Sequence, residues 1–141
     1  MIDPDQRESL LQRLSASRAT LMAALEGVTE RDFASDLGGE TVVQMLARVA
    51  AEERAAVAEA RGLTEEPHTV ARPLPPQAIH GLAGARYITS RYLDDPEARL
   101  EVGLALVEGV EQRDAEAARR VRGRPSLQPP PEIPVIQPGS A

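Results

Sequence analysis

The stretch TVVQMLARVAAEERAAV, Thr41 to Val57, decides the fold. Val42, Met45, Leu46, Val49, Ala56 and Val57 recur at the period of one helix face. Thr41 stands where a hydroxyl can cap the first turn, and Gln44 three residues on has the place of a capping-box partner. The helix therefore reads from Thr41 to about Arg61 and stops at Gly62. Two charged residues interrupt the pattern. At about 100° per residue, Glu53 falls inside the apolar stripe and Arg48 on its flank, roughly 120° from its centre.

Three further helices follow outward from this one. DPDQ, Asp3 to Gln6, is a start signal: Asp3 can cap, Pro4 fits the first position, and Gln6 completes a capping box. Leu10, Leu14, Leu21, Leu25 and Val28 continue one face, so helix 1 is expected over 4–27. TERDF reads as a single turn capped by Thr29, and Gly38-Gly39 as a loop in backbone regions other residues avoid. Helix 3 is expected from Pro76 to Leu93, with Gly81 and Gly84 permitting close helix contact. DDPEA predicts helix 4 with Asp95 as N-cap and Pro96 at its first position. Leu100, Leu104, Val107 and Val110 form its stripe, and Asp114 marks an expected break before a short extension to Val121. From Gly123 the chain holds six prolines and no helical period, so 123–141 reads as a proline-rich tail. The expected architecture is all-α: an up-and-down four-helix bundle over 1–122 with that tail attached.

Composition narrows the function classes. The 141 residues fit one domain, which buries roughly two thirds of its unfolded-chain surface. With one Phe, two Tyr and no Trp, the core must be aliphatic. All 16 basic residues are Arg, and Lys and Asn are absent, a bias that reads as a GC-rich bacterial genome. Without Lys there is no Schiff base and no P-loop lysine; without Cys there is no disulfide, thiolate nucleophile or cysteine zinc site. The net charge of −6 argues against broad nucleic-acid or anionic-membrane binding. The N-terminal residues show no signal-peptide pattern, and no apolar run approaches the ~18 residues of a membrane span, so a cytoplasmic protein is expected.

The segment LGGETVVQMLARVAAEE resembles the DinB-like (DinB/YfiT) four-helix-bundle family. There a glycine-containing loop leads to an aromatic residue, a Ser or Thr cap, and a helix of the type Val-x-x-x-Leu-Ala-His-Leu-Ala-x-x-Glu. Thr41 takes the cap, Val42 the first apolar position, Leu46-Ala47 the middle pair and Glu53 the carboxylate. The resemblance spans about residues 10 to 61. In the family the helix-2 histidine is a metal ligand, joined by a histidine pair one turn apart in a later helix. Here that position is Arg48, which has no lone pair to offer a metal. The chain holds two histidines, His68 and His80, so three histidine ligands cannot come from one chain. Glu40 and Glu52 stand where the family has aromatic residues. The resemblance therefore implies a DinB-like bundle without the metal, with no cofactor and no metal ligands expected.

Arg48, Glu52 and Glu53 are the candidate pocket residues, and Arg48 and Glu53 have three readings. They can be an ion pair or snorkelling side chains at the bundle edge, the reading favoured here. They can be a remnant of the metal pocket, with Arg48 binding a small anion. Or Glu53 can act as a general base. His68 and His80 read as structural or solvated. RRVRGRP, Arg119 to Pro125, contains an AT-hook-like core, but the overall charge opposes DNA. The expected function is a non-catalytic binding or accessory protein. The alternatives are a metal-independent transferase-type enzyme using Glu53 and Arg48, or a module that homodimerises and docks a partner through its tail.

Overall fold

The computed structural model describes residues 1–63 and 72–124. His68 and residues 125–141, nearly all of the expected tail, lie outside the described residues. Among the described residues there are four α-helices: α1 Pro4–Leu25, α2 Val42–Ala60, α3 Pro75–Leu93 and α4 Leu100–Arg122. They form an all-α four-helix bundle. No helix among the described residues is long and apolar enough to cross a membrane.

The local signals explain most boundaries. Asp3 caps α1 by accepting from the Asp5 N–H at 3.1 Å, with Pro4 at the first position. Thr41 and Gln44 cap α2 reciprocally, at 3.2 and 2.9 Å. Thr29 and Asp32 do the same, each side chain accepting from the other's N–H at 3.2 Å, ahead of the short 3-10 turn Asp32–Ala34. Gly38 and Gly39 take φ of 93° and 114°, and their N–H groups both point at Asp36 Oδ1, at 3.0 and 2.9 Å. This loop sets the entry of α2.

Two expectations about α4 are corrected. Asp95 does not cap it. Its carboxylate accepts from the Glu97 N–H at 2.9 Å and its carbonyl from the Ala98 N–H at 3.0 Å, closing a separate turn. Ala98 is buried as the anchor of that turn, Arg99 is extended, and the helix begins at Leu100. Nor does α4 break at Asp114. It runs unbroken to Arg122, because Asp114 is buried and bonded to α1 instead of capping its own backbone.

Contacts fix the helix directions. Arg13 meets Glu111 and Arg18 meets Asp114, while Gly103 faces Ile2 and Leu10, so α1 and α4 run parallel. Gly81 faces Ala50, Glu53 bonds Thr89 and Arg61 lies over Tyr92, so α2 and α3 also run parallel. The end of α1 packs with the start of α2. The order is up, down, down, up, so the strict alternation implied by an up-and-down bundle is not kept at the middle step. The physical reason is the connection 61–74. A 19-residue helix is roughly 28 Å long, and the 14 residues from 61 to 74, at up to ~3.3 Å each, are enough to span it.

The interior divides into two apolar clusters. One holds Leu21, Leu25, Val42, Met45, Leu46, Val49, Leu82 and Val121. The other holds Ile2, Leu10, Leu14, Val57, Leu93, Val107 and Val110. Along each helix the boundary between them falls at one polar residue: Arg18, Glu53, Thr89 and Asp114, all buried.

Candidate functional site

The four polar residues form one layer across the waist of the bundle, one from each helix. Each stands a turn from apolar neighbours on both sides: Leu14 and Leu21 flank Arg18, Ala50 and Val57 flank Glu53, and Val110 and Ala117 flank Asp114. Helical spacing aims them inward with the core. The Arg18 guanidinium donates to Glu53 Oε1 at 2.7 Å, to Asp114 Oδ2 at 3.2 Å and to the Leu82 carbonyl at 2.8 Å. The Thr89 hydroxyl lies 2.7 Å from the other oxygen of Glu53 and 3.1 Å from the Ala85 carbonyl. Ser17 donates to Asp114 Oδ2 at 2.9 Å, and Asp114 Oδ1 has no partner among the described residues.

Glu53 is therefore not an edge residue: only 1% of its surface is exposed, and both oxygens are engaged. The edge reading fails for it because an arginine of α1 reaches through the core to meet it. Its chemistry here is structural. Breaking a buried, hydrogen-bonded ion pair leaves an uncompensated charge, while forming it costs desolvation, so such a layer specifies alignment more than it adds stability.

Arg48 lies elsewhere, on the rim at the start of α2. It donates to Glu40 at 2.7 and 3.0 Å and to Glu52, one turn on, at 3.1 Å. Arg120 of α4 reaches the same Glu40 at 2.6 Å and the Leu37 carbonyl at 3.1 Å. Arg48 thus lies at the edge, but its partners are Glu40 and Glu52 and not Glu53; the Arg48 and Glu52 side chains keep 39% and 38% of their surface exposed. Hydrogen bonding from Arg48, reinforced by Arg120, holds the Glu40 carboxyl below the usual carboxylate range against an opposing desolvation effect. The same contact with Glu40 raises the Arg48 pKa further, so it remains a cation. Beside the cluster opens a cleft of about 570 Å³, lined by Asp36, Leu37, Gly38, Glu116, Arg119 and Arg120.

The candidate trio thus divides. Arg48 and Glu52 meet each other; Glu53, next in sequence, belongs to the core layer. His80 is exposed on α3. Among the described residues no three His, Cys, Asp or Glu side chains are grouped to hold a metal ion. In the AT-hook-like segment, Arg120 is bound to Glu40 and Arg124 to Asp32 at 3.5 Å. Arg18, Thr89 and Asp114 were not among the expected site residues, although each is a polar residue set into an apolar stripe.

Comparison with family models, with curated proteins and with solved structures gives no match.

Proposed function

We propose that this chain is a DinB-like bundle whose metal pocket has been replaced by a salt-bridge cluster, and that it works as a non-catalytic binding or accessory protein in the bacterial cytoplasm. One observation carries the reading. The three positions at which the helix-2 segment departs from the family pattern, Glu40, Arg48 and Glu52, meet at Arg48, which bonds both carboxylates. Departures scattered over a surface would be unrelated; these form one bonded group, two carboxylates on one guanidinium, whose charge a second arginine balances. Arg120 completes it from α4. Glu116 stands one turn before Arg120 and lines the same cleft, the spacing the family uses for its second pair of ligands.

The cluster supports binding over chemistry. The Arg48 guanidinium has Nε, Nη1 and Nη2 committed to carboxylates, so a small anion must displace Glu40 or Glu52 to reach it. Glu53 cannot serve as a general base from a sealed layer, since a base must reach the proton it takes. The adjoining cleft carries both signs of charge, which suits a polar or zwitterionic surface of a partner.

The test is metal uptake. The purified chain, dialysed with zinc or nickel, is expected to retain no stoichiometric metal by elemental analysis. About one bound ion per chain, lost in Glu40→Ala or Glu52→Ala, would overturn the proposal.

A further inference from the structure

Between α2 and α4 runs a shallow groove of about 310 Å³, lined by Ala56, Glu59, Ala60, Ala105, Gly109 and Arg113, with Val102 and Leu106 in its floor. One of its charged residues, Arg113, is unusual among the described residues. Arg113 is partly buried, with Nε and Nη2 shut away from solvent and without an acceptor among the described residues. Its guanidinium lies back over Gly109, where an added Cβ would come within 3.1 Å of it. Glu59 is exposed in the same groove, yet Arg113 does not pair with it or with any other described carboxylate.

The helix directions explain why. Because α2 and α4 are antiparallel, Glu59 lies at one end of the groove, beside Val102, and Arg113 rises from the other. The single chain does not close that gap along the groove. A second copy, turned about a two-fold axis across the middle of the groove, can do so twice. The acidic end of each chain then faces the basic end of the other. A parallel arrangement would set Arg113 against Arg113. The alanines and Gly109 let the two surfaces approach closely, and Val102 and Leu106 give apolar area to cover.

We propose that this groove is the interface of an isologous homodimer, with Arg113 of each protomer paired to Glu59 of its partner. The inference is independent of the family reading. The groove is small, so the dimer forms with rising concentration instead of being obligate. The partner's carboxylate also supplies the acceptor that a partly desolvated guanidinium lacks.

Sedimentation equilibrium of the full chain tests this. The wild-type protein is expected to pass from monomer to dimer as concentration rises. Glu59→Arg and Arg113→Glu should each weaken the dimer at least about tenfold, and the combined swap should restore it. Ala105→Arg gives a second route that does not disturb the fold, because Ala105 is exposed; it should leave a folded monomer. A wild-type chain still monomeric at about 500 µM, well above typical weak-complex constants, would overturn the proposal. So would single reversals that leave the dimer intact, or a folded double swap that fails to regain it.

Discussion

Glu52 and Glu53 are adjacent in sequence and chemically alike, yet they belong to different regions. Glu52 meets Arg48 one turn back on its own helix, in an ion pair that stays wet. Glu53 meets Arg18, which comes from α1 across the core, and both are buried. The difference lies in where the arginine comes from. A local i,i+4 partner keeps a carboxylate on the surface of its own helix. A partner on the opposite helix makes the ion pair part of the tertiary packing, where removing one member leaves the other stranded in low dielectric. The rim cluster is free to vary with function; the core layer is tied to the alignment of all four helices.

The largest expected effect breaks the core layer at its only cation. Arg18→Ala leaves Glu53 and Asp114 facing each other without a counter-charge. It should cost about 3–5 kcal/mol or more, a large share of a typical total of ~5–15 kcal/mol. Urea melts followed by circular dichroism measure this, and a loss below about 1 kcal/mol would mean that the layer is hydrated. Val49→Asp, a turn before Glu53 and 2% exposed, should be similarly damaging, because its carboxylate has no Arg18.

Replacing the whole layer should do far less harm than breaking it. Arg18→Met, Glu53→Leu, Thr89→Val and Asp114→Leu together remove every buried charge and keep the volume roughly constant. Stability by urea melt should return to within about 1–2 kcal/mol of the parent or exceed it. If the layer sets register, amide spectra of this variant should show exchange broadening absent from the parent. Sharp spectra with full stability would show that packing alone aligns the helices.

At the rim, Arg48→Gln should change stability by about 0–1 kcal/mol, the usual range for exposed ion pairs. The pH dependence there has a definite sign. The Glu40 carboxyl is held below its ordinary range, chiefly by its hydrogen bond from Arg48. Its contribution is therefore fully present above the ordinary carboxylate pKa and is lost as pH falls through the lowered value. In melts from neutral to acid pH, Glu40→Gln should lower the neutral region by about 0–1 kcal/mol, leave the acid end nearly unchanged, and so flatten that part of the curve. An unaltered acid limb would place the acid sensitivity in other carboxylates.

The helix faces were legible because their causes are local. Thr41 with Gln44, Asp3 with Pro4, and the spacing around Val49 act within a turn or two, and each appears where expected. Glu53 was visible as an anomaly in its stripe, but its partner is 35 residues away in sequence, beyond any periodicity. Arg18 and Asp114 carried the same signal, a charge between core residues on one face. Taking them with Glu53 would have suggested a layer; taken singly, Asp114 looked like a helix cap. Asp95 misled because cap chemistry is satisfied equally by an isolated turn. The helix directions depend on contacts between helices far apart in sequence, which no local pattern dictates.

The most direct test of this account is a pair of urea melts on two adjacent substitutions, Glu52→Gln and Glu53→Gln. Both keep shape and remove one charge. The core layer predicts a loss of about 3 kcal/mol or more for Glu53→Gln, since Arg18 keeps a buried charge that is no longer matched. It predicts a change within about 1 kcal/mol for Glu52→Gln, whose partner stays in water. Equal small losses from the two variants would contradict it, because Glu53 would then be as solvated as its neighbour.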